Sequence, residues 1–306
     1  MNAQPDGRAG LAYGIGVYLF WGLVPLYFVL LTGIDAIEIV AHRILWSVPL
    51  LLVLLAALGW LGRLRKALGT PRILRALAVS ALLIAVNWLV YIWAVTHQHV
   101  LAASLGYFLN PLINVLLGTA LLGERLRPAT ILAILFAATG VAILAFGALD
   151  TLWISLTLAF SFALYGYLRK ITEVGAIEGL AVETMLLAPA CLGYLIWLTS
   201  RGTLAFGTDP TTDTLLIVSA AVTSTPLMLF AAAARRLTLT TLGFLQYIAP
   251  SMAFLIGFFI LGEPLATPQL VCFALIWTGL AIFSLDNLRA ARRRRALKRA
   301  AEAYGR

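Results

Sequence analysis

Arg43, His42 and Glu183 stand inside long apolar stretches of a chain in which only 11% of residues are charged. An ionisable side chain in such a stretch is expensive to bury, so each is a functional candidate by default. Arg43, in EIVAHRILWS (Glu38 to Ser47), offers a planar fork of donors that suits a substrate carboxylate bound two bonds at a time. A permanent salt bridge to Glu38, or a clamp on a helix C-terminus, would use the same guanidinium structurally. His42 could exchange protons near neutral pH, but neighbouring helical positions do not share a face. Glu183, in VETMLLAP (Val182 to Pro189), is a second candidate for proton coupling, with a structural hydrogen bond as its alternative.

Polar and aromatic residues recur at helical spacing in three further stretches. In NWLVYIWAV (Asn87 to Val95), Asn87 and Tyr91 share a face with Trp88 beside them, an amide and two rings able to hold a polar head and a flat apolar side chain. LAASLGYFLNPLINVLLG (Leu101 to Gly118) adds Ser104, Tyr107, Asn110 and Asn114, and TLGFLQYIAP (Thr241 to Pro250) adds Gln246 and Tyr247. Interhelical hydrogen bonding is the structural alternative for these polar groups. Pro111 and Pro250 each withhold an amide and free a backbone carbonyl, which makes them hinge candidates or simple kinks that shape a cavity. Thr223, Ser224 and Thr225 before Pro226 could act in the same way.

Other chemistries lack their residues. No G-x-x-x-x-G-K-[ST] motif is present, so ATP is not expected as a partner, and no H-E-x-x-H, G-x-S-x-G or paired Asp cluster supports an intramembrane enzyme. Neither metal nor cofactor is expected: His42, His97 and His99 form no ligand set, and Cys191 and Cys272 read as small buried hydrophobes. A channel's ring of like charges or carbonyl filter is missing too, although an uncoupled facilitator would share this pattern.

The elements that must position these residues follow from composition. With 62% hydrophobic residues and a mean hydropathy of +0.97, the chain carries more apolar surface than a water-soluble core can hide. Ten apolar spans are expected, at 11–31, 37–61, 74–95, 100–122, 129–146, 152–168, 178–199, 213–234, 240–261 and 268–286. The run from Leu11 has no cleavage site after it and is expected to stay as the first span. With the N-terminus inside, 20 of the 22 Lys and Arg fall in inside segments; Arg43 and Arg201 are the two left over. The segment from Arg289 holds eight bases and one acid, which is +7 of the net +9. Directly after an apolar span, it reads as a cytoplasmic stop touching anionic lipid headgroups rather than as a nucleic-acid site.

The chain also repeats itself. With Pro111 laid on Pro250, LLGE (Leu121 to Glu124) falls on ILGE (Ile260 to Glu263), and AIEIVAHRILWSVP (Ala36 to Pro49) matches AIEGLAVETMLLAP (Ala176 to Pro189) at five of fourteen positions. Trp21-Gly22 echoes Tyr165-Gly166 more weakly. The expected organisation is a first five-helix repeat at 1–150, a second at 151–288 and a basic cytoplasmic tail at 289–306. Five crossings per repeat invert the second against the first, an arrangement typical of secondary transporters with a central cavity between the halves.

The stretches quoted above, with LAFSFALYG (Leu158 to Gly166) and GER (Gly123 to Arg125), resemble as a set the EamA-type members of the drug/metabolite transporter superfamily, in the RarD-like branch. The resemblance runs almost end to end. It implies ten helices with both ends in the cytoplasm, a cavity lined largely by spans three, four, eight and nine, and export of small metabolites across the inner membrane. That branch is named for chloramphenicol sensitivity, and related exporters handle amino acids, aromatic ones included. The expectation is therefore an all-α membrane protein, not an enzyme, that exports neutral or aromatic amino acids by alternating access. Drugs or other amphiphilic metabolites of the chloramphenicol type are the alternative cargo.

Overall fold

The computed structural model describes residues 7–97, 99–146, 149–259 and 267–304, which form helices joined by short turns with no strand among them. In chain order these are α1 (Gly7–Val29), α2 (Ala36–Ala57), α3 (Leu61–Leu68), α4 (Pro71–Thr96), α5 (Val100–Leu122), α6 (Pro128–Ala145), α7 (Leu152–Ile171), α8 (Ala176–Arg201), α9 (Pro210–Ala234), α10 (Leu239–Gln246), α11 (Ile248–Phe259) and α12 (Thr267–Tyr304). Among the described residues, nine helices are long and apolar enough to cross a bilayer, all except α3, α10 and α11. Val53, Leu82, Leu135 and Ile196 stand exposed within such helices, a surface that suits lipid and not water. The chain is a multi-pass integral membrane protein.

Local signals place the helix ends. Asp35 accepts from the amides of Ile37 and Glu38 at 2.9 and 3.0 Å and so starts α2. Pro128 and Pro210 open α6 and α9, where a missing amide is harmless. α5 and α8 stop at Gly123 and Gly202, whose φ of 64° and 67° is left-handed and disfavours a Cβ.

The structure departs from the sequence expectation in four places. The second span ends at Ala57, and Arg63, Arg65 and Lys66 lie on a separate amphipathic helix, α3. Arg169, expected in a loop, continues α7 and is 1% exposed. The span expected at 240–261 is two helices, because Pro250 cannot donate to the carbonyl of Gln246 four residues back and α10 stops there. Glu263 lies outside the described residues. Finally, α12 runs on into the expected tail as far as Tyr304, since residues 289–304 hold strong helix formers and neither Gly nor Pro.

Contacts between the turns define two ends of the bundle. At the Lys- and Arg-rich end, Lys170 donates to the carbonyls of Ala234 and Leu237, and Arg235 donates to that of Val174. There the Glu124 carboxylate accepts from the amides of Leu239 and Thr240 at 2.6 and 3.0 Å and from the Thr240 hydroxyl at 2.7 Å. At the other end Tyr27 donates to the Leu215 carbonyl, and Tyr194 donates to Asp35 at 3.0 Å.

Between the ends, α2 packs on α8 and α9, α4 on α7 and α8, α1 on α9 and α11, α5 on α7 and α10, and α6 on α12. Glycines set the closest approaches. A Cβ on Gly140 would lie 3.0 Å from the Cys272 carbonyl oxygen, and one on Gly279 would lie 2.7 Å from that of Ala133. Backbone cannot swing aside as a side chain can, so Gly279→Ala is expected to destabilise the fold by about 1–3 kcal/mol. Gly16→Ala, with nothing within 4 Å, should be neutral or better, and thermal unfolding of the two purified variants compares them.

Candidate functional site

Arg43 lies roughly 10 Å along α2 from its first residue, at 1.5 Å per residue. Its Nε donates to Thr223 Oγ1 of α9 at 2.6 Å. The guanidinium carbon is 5.1 Å from the ring centre of Phe28 and 5.3 Å from that of Trp88, within cation–π range. Tyr27, Tyr91 and Tyr107 stand close enough to feel its charge, and the Tyr91 and Tyr107 rings meet edge to face at 5.9 Å. Four sequence-predicted site residues, Arg43, Trp88, Tyr91 and Tyr107, are thus gathered from α2, α4 and α5.

This cluster borders open space. Arg43 is half-buried, and Tyr91 and Tyr107 keep 38% and 43% of their surface exposed. Among the described residues no carboxylate lies within salt-bridge distance of Arg43, and the pair with Glu38 that the sequence allowed is not formed.

Glu38 turns instead to the loop between α8 and α9. Its Oε1 accepts from the amides of Ala205 and Phe206 at 2.8 and 3.3 Å, while Asp213 accepts from that of Gly207 at 2.7 Å. Phe206 stacks on His42 with ring centres 5.0 Å apart, and His42 Nε2 is 3.8 Å from Glu38. Glu38→Ala is therefore expected to loosen this loop and speed limited proteolysis between Gly202 and Asp209 by about tenfold or more. Unchanged cleavage would show that the carboxylate does not hold it.

Glu183 lies in a different cluster. Ser80 donates to it, Arg169 Nη1 is 3.4 Å away and the Tyr165 hydroxyl 3.5 Å, all buried between α4, α7 and α8. Arg169 Nη2 also donates to the Ala176 carbonyl at 2.9 Å.

The other predicted residues join helices. Asn87 donates to the Leu158 carbonyl and to Ser161 Oγ, both at 2.9 Å, tying α4 to α7. Asn114 donates to Gln246 at 2.9 Å, tying α5 to α10. Tyr247 is buried and donates to the Phe108 carbonyl at 3.3 Å, and Asn110 is 2% exposed. None of Asn87, Asn110, Gln246 and Tyr247 hydrogen-bonds the guanidinium. Pro111 sits inside an unbroken α5, whereas Pro250 follows the break after Gln246.

Sequence reasoning passed over Tyr27 and Phe28, which end the first apolar run without a charge to mark them. It read Thr223 only as a neighbour of Pro226, although a hydroxyl on a buried helix was itself a signal. A cleft of about 550 Å³ opens near the start of α2, lined by Asp35 and Ile37 together with Leu89, Ile92, Trp93 and His97.

Residues 8–146 match the EamA-like transporter family. The chain is 44% identical to Protein RarD of Streptomyces exfoliatus over 302 residues, 98% of this chain and 96% of that protein. It is 45% identical to an uncharacterized transporter of Vibrio cholerae over 294 residues, 94% of this chain and 95% of the relative. A protein of known crystal structure, only 20% identical, has the same fold with a TM-score of 0.72, covering 91% of this chain and 98% of its own.

Proposed function

We propose a cargo and a cycle from one premise: this chain belongs to the EamA-like transporter family, as a RarD-like member. It is a membrane transporter. The cargo we assign is a small metabolite bearing a carboxylate and a flat apolar body, neutral or aromatic amino acids first, exported across the inner membrane. The observation that carries this is Arg43, a cation inside a bilayer span with rings and a hydroxyl around it and no acid beside it among the described residues. Such a charge costs about 2.5–3.5 kcal/mol or more to hold in lipid. A bidentate carboxylate offsets that, and Trp88, Tyr91 and Tyr107 offer its apolar body a wall.

We also infer that residues 1–150 and 151–288 are inverted halves, with α10 and α11 together making a tenth crossing before the tail at 289–306. The packing supports this. Exchange α1 for α7, α2 for α8, α4 for α9, α5 for α10 with α11, and α6 for α12. The contact of α4 with α7 then becomes that of α9 with α1, and the contact of α5 with α7 becomes that of α11 with α1. Single residues follow the same exchange: Gly140 approaches Cys272 as Gly279 approaches Ala133, and 279 − 140 and 272 − 133 are both 139.

Arg43 meets the hydroxyl of Thr223, and its aligned partner Glu183 meets that of Ser80. Glu183 has a counter-ion in Arg169, whereas Arg43 has none among the described residues; in this reading the cargo is the missing charge.

Odd halves put both termini on one side, the cytoplasmic side by the charge distribution, and alternating access follows from rocking one half against the other. Pro111 and the break before Pro250 are the hinges of this scheme. Of the proton-coupling candidates, Glu183 is held by Arg169, so His42, whose Nε2 lacks a hydrogen-bond partner among the described residues, is the one we carry forward.

Purified protein in liposomes is expected to move labelled phenylalanine or leucine. If no amino acid is transported or raises the melting temperature while chloramphenicol-type amphiphiles do, the second reading replaces the first; the aromatic wall accommodates both.

A further inference from the structure

We infer that Thr223 is a positioning residue: it occupies one edge of the Arg43 guanidinium, so that a substrate meets only the two terminal nitrogens, end-on. This rests on the reading of Arg43 as the substrate's anchor. A guanidinium presents two bidentate edges to a carboxylate, one pairing Nε with a terminal nitrogen and one pairing both terminal nitrogens. Thr223 Oγ1 sits 2.6 Å from Nε and so takes the first edge. Its own hydroxyl proton is committed, because Oγ1 donates to the Ser219 carbonyl at 2.8 Å one turn earlier in α9. The oxygen is thereby left as an acceptor facing Arg43.

A second hydroxyl pair fixes the register of this contact. Ser224 donates to Ser47 at 2.8 Å, which ties α9 to α2 one turn along from the Arg43–Thr223 bond, and Ser47 itself donates to the Arg43 carbonyl at 2.5 Å within α2. Among the described residues Thr223 is the only hydrogen-bond partner of the guanidinium, and the two terminal nitrogens are left for a ligand. Removing the Thr223 oxygen frees the fork to rotate, and the binding geometry is lost although the charge stays.

The test compares Thr223→Val, which keeps the shape and removes the acceptor, with Thr223→Ser, which keeps the acceptor. Both are reconstituted as the full chain in liposomes with labelled phenylalanine, and with phenylalaninamide as the probe lacking a carboxylate. The expected result is a KM for phenylalanine raised about tenfold or more in the Val variant with kcat within about twofold, the scale of one hydrogen bond to a charged group. The Ser variant should match wild type, and amide transport should not change between variants. A Val variant with wild-type KM, or one that loses kcat equally for both probes, overturns the inference. If wild type does not distinguish the acid from the amide, the Arg43 cargo reading has failed on its own account. The rate of phenylglyoxal modification at Arg43, followed by peptide mass spectrometry without substrate, then decides the positioning role. A rate altered about fivefold or more in Val and unaltered in Ser upholds it, and equal rates in all three proteins overturn it.

Discussion

Arg43→Ala is expected to reduce kcat/KM for carboxylate-bearing cargo by about a hundredfold or more, the scale of a lost bidentate contact to a charged group, while folded protein is recovered at the wild-type level. The sign of the stability change separates this from a structural role. A guanidinium with no acid beside it among the described residues is a burden on the empty protein, so its removal should leave the melting temperature level or higher. Arg43→Lys should restore part of the activity, because a point charge reaches the cargo without the planar fork. Retained transport in the Ala variant would demote Arg43, and a clear fall in melting temperature would reassign it to the fold.

The opposite outcome is expected at Glu183. Glu183→Leu strands the Arg169 guanidinium, 1% exposed, whose Nε has no hydrogen-bond partner among the described residues. Breaking one side of a buried pair costs about 3–5 kcal/mol, so the variant should unfold at a distinctly lower temperature in detergent. Removing both charges in Glu183→Leu with Arg169→Met should recover most of the loss, since an apolar pair of similar volume leaves no unpaired charge in the core. A single variant as stable as wild type would show that the pair adds nothing. A double variant no better than the single would place the loss in packing. Space is tight on that side, for a Cβ on Gly179 would lie 1.9 Å from Arg169 Nη1.

Depth was legible in the sequence, and partners were not. Nine of the expected spans are matched by helices long and apolar enough to cross a bilayer, because some twenty apolar residues in a row leave little else to form. Trp88 and Tyr91 come to Arg43 because polar and aromatic residues at helical spacing share a face. Arg169 was illegible for a physical reason. It is adjacent to Lys170 at the end of an apolar run, and adjacent helical positions point in different directions, so only packing decides that Arg169 turns inward to Glu183. Asn87 shows the same limit, since an amide beside two rings looks alike whether it faces a cavity or the Leu158 carbonyl of α7.

Glu124 carries a consequence for the resting carrier. Its carboxylate clasps the first two amides of α10 and the Thr240 hydroxyl, so parting the end of α5 from the start of α10 strips three charge-assisted bonds together. Thermal jostling seldom undoes such a clasp alone; in the alternating-access scheme proposed above, opening that end therefore waits on cargo to supply the difference.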